Sequence, residues 1–141
     1  MSSVVTVPVQ AATPGIFSVD ASGQGPGAIL NQDFSINSGA NPAAKGSVVA
    51  IYCTGGGVTD PASMDGSITG TPLPMLKQNV SVTIGGIGAT VWYSGAAAQA
   101  IAGLTQINVQ VPAGAPSGPS VAVVVQVGTA QSQAGLTMAV R

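Results

Sequence analysis

Asn79-Val80-Ser81-Val82-Thr83-Ile84 alternates polar and apolar side chains, Gly85-Gly86 follows at once, and Ile87 to Tyr93 continues the run. This stretch decides the fold class. Alternation with a period of two puts every second side chain on one face of an extended strand. A Gly-Gly pair supplies the two positive φ angles that a two-residue hairpin turn needs. The stretch predicts a β-hairpin with one buried face.

The neighbouring segments read the same way. Ile107-Asn108-Val109-Gln110-Val111 alternates again and stops at Pro112, which has no N–H to give to a ladder. Val121 to Val127 and Gln133 to Val140 predict a second hairpin around Gly128-Thr129. Upstream, Ser47 to Thr54 (SVVAIYCT) reads as a fully buried central strand. Ala28–Leu30 and Phe34–Ile36 flank Asn31-Gln32-Asp33 as a small hairpin. Short strands punctuated by 20 glycines and 10 prolines are the pattern of an all-β sandwich or barrel. The single helix candidate, Ala96 to Ala102 (AAAQAIA), is too short to stand alone and is expected as a crossover between strands. Gly55 to Gln78 is expected as a long excursion without strands, of the length at which loops carry a contact surface or move freely.

The 141 residues fit one domain with a sizeable core. Only 5% are charged, against roughly 25% in ordinary soluble domains. The acids are Asp20, Asp33, Asp60 and Asp65, the bases are Lys45, Lys77 and Arg141, and there is neither His nor Glu. A net charge of −1 gives no footprint for nucleic acid. The longest clean apolar run, Val121 to Val125, is far short of the roughly 20 residues a spanning helix needs, so no membrane insertion is expected. The N-terminus lacks the basic and apolar regions of a secretory leader. Cys53 stands alone and cannot form an internal disulfide. Surface charge normally keeps proteins apart, so its scarcity points to a surface covered by neighbours.

The residue inventory also excludes the common routes to catalysis. Without His, neither a Ser-His-Asp nor a Cys-His arrangement can be built. Cys53 alone cannot hold zinc, and no Gly-rich phosphate-binding run opens a helix. No enzyme activity, catalytic residue, cofactor or metal is therefore expected. Asp20 to Gln24 and Asp60 to Asp65 offer oxygens to calcium, but neither matches an EF-hand loop. Aspartates in such turns bond their own backbone. Lys45 and Lys77 are read as solvated rather than as partners in a Lys–Asn crosslink. Trp92 and Tyr93 are adjacent, and strict alternation would turn one of them inward. A full aromatic platform for stacking sugars is not expected.

The two chain ends echo each other. Val5-Thr6-Val7-Pro8-Val9 matches Leu136-Thr137-Met138-Ala139-Val140 in residue type at every position except Pro8. One domain needs only one such final strand.

Several runs carry a family resemblance. They are PGIFSVD (Pro14 to Asp20), AILNQD (Ala28 to Asp33), NPAAKGS (Asn41 to Ser47), VTIGGIGATVWYSG (Val82 to Gly95) and GLTQINVQVPAGAPSG (Gly103 to Gly118). In that order they resemble a C-terminal, IPT/TIG-related module of large secreted proteins of Acidobacteria-type soil bacteria. Cys53 and Gly55-Gly56-Gly57 depart from the module's usual small-residue turn, so the shape of that loop is not carried over. The resemblance implies an immunoglobulin-like β-sandwich over residues 13–141, an extra N-terminal strand within residues 1–12, and an extracellular or cell-surface setting.

In such proteins the segment before PGIF resembles the last strand of a preceding sandwich. A strand without its own sandwich has unpaired backbone and an apolar face to bury. Adding it to a neighbour's sheet, as in donor-strand complementation, solves both problems. Such a head-to-tail contact does not close and gives a filament built from copies of the chain. Val5, Val7 and Val9 would be the assembly strand, and Leu136, Met138 and Val140 an acceptor or edge strand. Two alternatives stand beside this reading. The first is that residues 3–10 are a first strand folded back on their own domain, or a frayed end. The second is an adhesion or ligand-binding module from a larger secreted protein, with Gly55–Gln78 as its contact surface.

Overall fold

In the computed structural model, which describes residues 2–141, the Asn79–Tyr93 hairpin forms as its residues dictate. Ile84 stands opposite Ile87 across Gly85 and Gly86, whose φ angles are 60° and 79°. A side chain at Gly85 would also run into the ring of Pro116. Met1, the first residue of the expected N-terminal strand, lies outside the described residues.

Twelve strands occur in chain order: β1 (Gly15–Ile16), β2 (Gly25–Pro26), β3 (Ile29–Leu30), β4 (Val48–Thr54), β5 (Thr59–Asp60) and β6 (Met75–Leu76), followed by β7 (Val80–Ile84), β8 (Ile87–Ala96), β9 (Thr105–Gln110), β10 (Gly118–Val127), β11 (Ala130–Gln131) and β12 (Leu136–Val140). There is no helix among the described residues, and the protein is all-β. The strands make one mixed, curled sheet in the order β1-β4-β9-β8-β7-β10-β12-β2. Every ladder in that path is antiparallel except β12–β2.

The curl comes from the two longest strands. β8 pairs with β7 up to Ala89 and with β9 from Thr90 onward. β10 pairs with β12 around Val121–Ala122 and with β7 from Val123. Each of β8 and β10 carries a register irregularity, between Val91 and Tyr93 and between Gly118 and Val121. An extra residue on one strand bends it and increases the local twist. The core fills the inside of the curl. Its largest buried side chains are Ile29, Ile51, Ile84, Ile107, Leu136 and Met138, backed by six valines. Removing such a side chain from water contributes about 1.5–3 kcal/mol each.

Two side-chain amides finish the sheet where strands fall short. Gln133 Nε2 donates to the Ile16 carbonyl at 2.6 Å while its Oε1 accepts the Ile16 N–H at 3.0 Å. Asn37, buried, treats Ala139 the same way: its Nδ2 donates to the carbonyl at 2.9 Å and its Oδ1 accepts the N–H at 2.7 Å. Each amide stands in for one peptide unit of a neighbouring strand.

The structure departs from the sequence expectations at three places. Gly55–Gln78 is not strand-free: β5 and β6 pair with each other, β6 touches β8 at Gly95, and Ile68 bridges Ile101. Pairings of one or two residues are too short to leave an alternation in the sequence. The expected Gln133–Val140 strand is broken, because Gln133 turns its side chain to Ile16 and Gly135 takes a φ of 86° before β12 begins. Finally, β4 is buried on one face only and not on both as expected, with Val49, Ile51 and Cys53 alternating with half-buried or exposed neighbours. Ala96–Ala102 is the crossover expected: Ala96 ends β8 and Ala97–Ala102 turn towards β9, with Gln99 at a φ of 57°.

Candidate functional site

The N-terminal arm, residues 2–10, belongs to no strand of this sheet. Its valines are almost fully solvent-exposed: Val4 96%, Val5 78%, Val7 72% and Val9 95%. The arm is anchored only at its root. Thr13 N–H donates to the Gly55 carbonyl at 2.9 Å, and Ala12 is buried. The triple glycine makes room for that root. A Cβ on Gly55, at a φ of 72°, would fall 1.9 Å from the Thr13 carbonyl oxygen, and one on Gly57 would fall 2.4 Å from that of Ala11. The glycines that depart from the module's usual turn are thus the seat of the arm.

Leu136, Met138 and Val140 sit elsewhere and do the opposite job. All three are buried in the core. β12 is bonded on both sides: to β10, and across to Gly25, Gly27 and Ala43. An incoming strand needs free backbone, so β12 is not an edge, and the echo between the chain ends is one of pattern only.

Free backbone lies on β8 instead. On the side away from β9, β7 accompanies it only to Ala89 and β6 meets it only at Gly95. The stretch Thr90–Ser94 has no strand partner there among the described residues. The seam beside it is lined by Val80, Ala89 and Val91, which pack on the core yet stay partly exposed.

Direction along the strands also matters. The arm leaves from the end of the sheet that holds Thr54 and Gly55. Arg141 lies at the opposite end, where its carbonyl accepts the Lys45 N–H beside the start of β4. A seven-residue strand such as β4 spans roughly 23 Å between those ends.

The bulge on β8 changes the reading of Trp92 and Tyr93. Val91 pairs with Val109 and Tyr93 with Asn108, so Trp92 is the extra residue and both aromatics oppose one partner. Neither turns into the core: Trp92 is 66% exposed, and Tyr93 is half-buried with its hydroxyl donating to the Ala96 carbonyl at 2.6 Å. The expectation that alternation would hide one of them fails because the bulge interrupts the alternation.

The remaining chemical candidates are quiet. Cys53 is fully buried, and burial pushes its thiol up to about 12, far from the thiolate a nucleophile needs. Asp20 is held below the usual carboxylate range by the Ser22 hydroxyl and N–H, so its oxygens serve its own turn. Asp33 is lowered in the same way by Ser35. Lys45 and Lys77 are exposed. A cleft of about 380 Å³ lies between Gly55–Thr59, Ala62–Ser63 and Ala102–Thr105, close to the arm's root. Among the described residues no three of His, Cys, Asp and Glu gather, and no helix is long and apolar enough to cross a membrane. Comparison with protein-family models, curated proteins and solved structures finds no match to this chain.

Proposed function

We propose that this protein is a non-catalytic structural subunit of an extracellular fibre or surface layer, joined head to tail by lending residues 3–10 to the next copy. In this reading the curled sheet is an immunoglobulin-like, IPT/TIG-like sandwich, with β8 and β10 crossing between its two halves. The observation that carries the proposal is the arm: alternating valines leave the fold largely exposed, although Thr13 at the arm's root is bonded to Gly55 and Ala12 is buried. Leaving such a strand in water is costly in apolar area, and covering it on a neighbour is favourable.

The recipient in this scheme is the free side of β8 at Thr90–Ser94, with Val5, Val7 and Val9 facing the seam of Val80, Ala89 and Val91. Nine residues of extended arm reach roughly 30 Å, longer than the free stretch Thr90–Ser94 that they join. Entering from the end that holds Arg141, the arm would run antiparallel to β8. Pro8 suits an added edge strand, because its missing N–H can face solvent. Scarce surface charge removes the repulsion that would oppose stacking.

Electron microscopy and light scattering on the full chain and on a variant lacking residues 1–10 test the scheme. Filaments from the full chain and monomers from the truncated one are expected. Filaments that persist after truncation, or a full chain that stays monomeric at high concentration, overturn it.

A further inference from the structure

None of the five aromatic side chains joins the core. Aromatic rings are the largest apolar groups available for packing, and a fold that keeps all of them outside is using them on its surface. Four of them share one outward face. Ile16 and Ser18 are buried, so Phe17 points out, and its N–H donates to the Tyr52 carbonyl at 3.1 Å. Ile51 and Cys53 are buried, so Tyr52 points out beside its cross-strand partner Gln106. Ile107 and Val109 are buried, so Gln106, Asn108 and Gln110 face out, and Asn108 is opposed by Trp92 and Tyr93 together.

Tyr93 lies flat. Its hydroxyl reaches along the strand to Ala96, and it covers Gly95, where an added Cβ would come within 2.7 Å of Oη and 3.0 Å of Cζ. The ring stays half-buried along the strand. Between the aromatics, Gln106 Nε2 donates to Asn108 Oδ1 at 2.9 Å. That leaves Gln106 Oε1 as an acceptor and Asn108 Nδ2 as a donor without partners among the described residues. None of the seven charged residues lies on β4, β8 or β9.

We infer that this face binds an extended, uncharged polysaccharide. A sugar ring has apolar C–H faces that rest on aromatic rings and a rim of hydroxyls that exchange hydrogen bonds with amides. Tyr52 and Tyr93 stand on strands separated by β9, about 10 Å apart, so they can lie under different sugar residues of one chain. A face without charge offers nothing to uronates or phosphates, which fixes the class as neutral. Trp92 and Tyr93 border both this face and the proposed assembly edge, whereas Tyr52 on β4 lies on the face alone, so Tyr52 separates the two readings.

Isothermal calorimetry on the full chain with cellohexaose, mannohexaose and a hexagalacturonate tests the inference. At least one neutral hexaose is expected to bind, the charged one is not, and added NaCl leaves the affinity unchanged. Trp92→Ala and Tyr52→Ala each weaken binding about tenfold, while Phe34→Ala, an aromatic outside the face, does not. Thermal melts of each variant separate lost binding from lost folding. Val7→Asp, which disables the arm, leaves glycan affinity intact. The inference is overturned if no neutral hexaose binds, or if affinity survives both Trp92→Ala and Tyr52→Ala. It is equally overturned if Tyr52→Ala, remote from the β8 edge, changes the oligomeric state instead, which would make the face a subunit contact.

Discussion

Val5–Val9 and Leu136–Val140 have nearly the same alternation of residue types and opposite fates. In β12 the alternate side chains Leu136, Met138 and Val140 are sealed in the core, with backbone bonded on both sides. In the arm Val5, Val7 and Val9 are exposed and belong to no strand of the chain. The difference teaches what an alternating pattern specifies. It states that a strand has an apolar face to cover, but not which sheet covers it. Context decides, and here the deciding contacts are the Asn37 amide that fastens Ala139 and the glycine seat that turns the arm outward.

The comparison is broken most sharply by placing one charge in each strand. Met138→Asp buries an unpaired carboxylate and is expected to cost more than about 4 kcal/mol, enough to unfold the chain. Val7→Asp is expected to leave the unfolding free energy from urea titration within about 0.5 kcal/mol of the parent while abolishing self-association. A large loss of stability from Val7→Asp would show that the arm packs on its own domain.

Next comes the fastening of β12. Asn37→Ala strands the N–H of Ala139 inside the protein, while its carbonyl keeps the Ala43 N–H, and is expected to cost about 1–3 kcal/mol, read as a lower urea midpoint at unchanged m-value. Gln133→Ala, at a half-buried site, is expected to cost less. Equal effects would mean that the two amides are interchangeable closures.

The gentlest probe is alkaline pH. The buried Cys53 thiol keeps its proton up to about 12, whereas the unfolded chain loses it near 9. Between those values the folded state binds the extra proton. Stability is therefore full below pH 9 and falls as pH rises, by about 1.4 kcal/mol per unit. Tyr93, also raised by burial, adds in the same direction. Thermal midpoints across pH 8–11 should decline, and Cys53→Ala should flatten the decline.

What the sequence showed and what it hid divide along physical lines. Local rules found the Ile84–Ile87 turn, the strand ending before Pro112 and the central strand through Ile51, because spacing and turn chemistry are written within a few residues. Gln133 on Ile16 and Asn37 on Ala139 join positions 117 and 102 residues apart, so no local pattern announces them. The Trp92 bulge was hidden for another reason. A bulge is a mismatch of register between two strands, and neither strand carries it alone. Only Gly55-Gly56-Gly57 gave a warning, three small residues in a row where the arm's root passes against the backbone.

The placement of Trp92 has a practical consequence. It is the only tryptophan, it stands in water on an otherwise aliphatic fold, and its indole will already emit as a solvated fluorophore in the native state. Unfolding should scarcely change that emission. A glycan settling on the face, or a strand arriving at the edge of β8, should shift it to the blue, so the molecule carries its own optical reporter of being occupied.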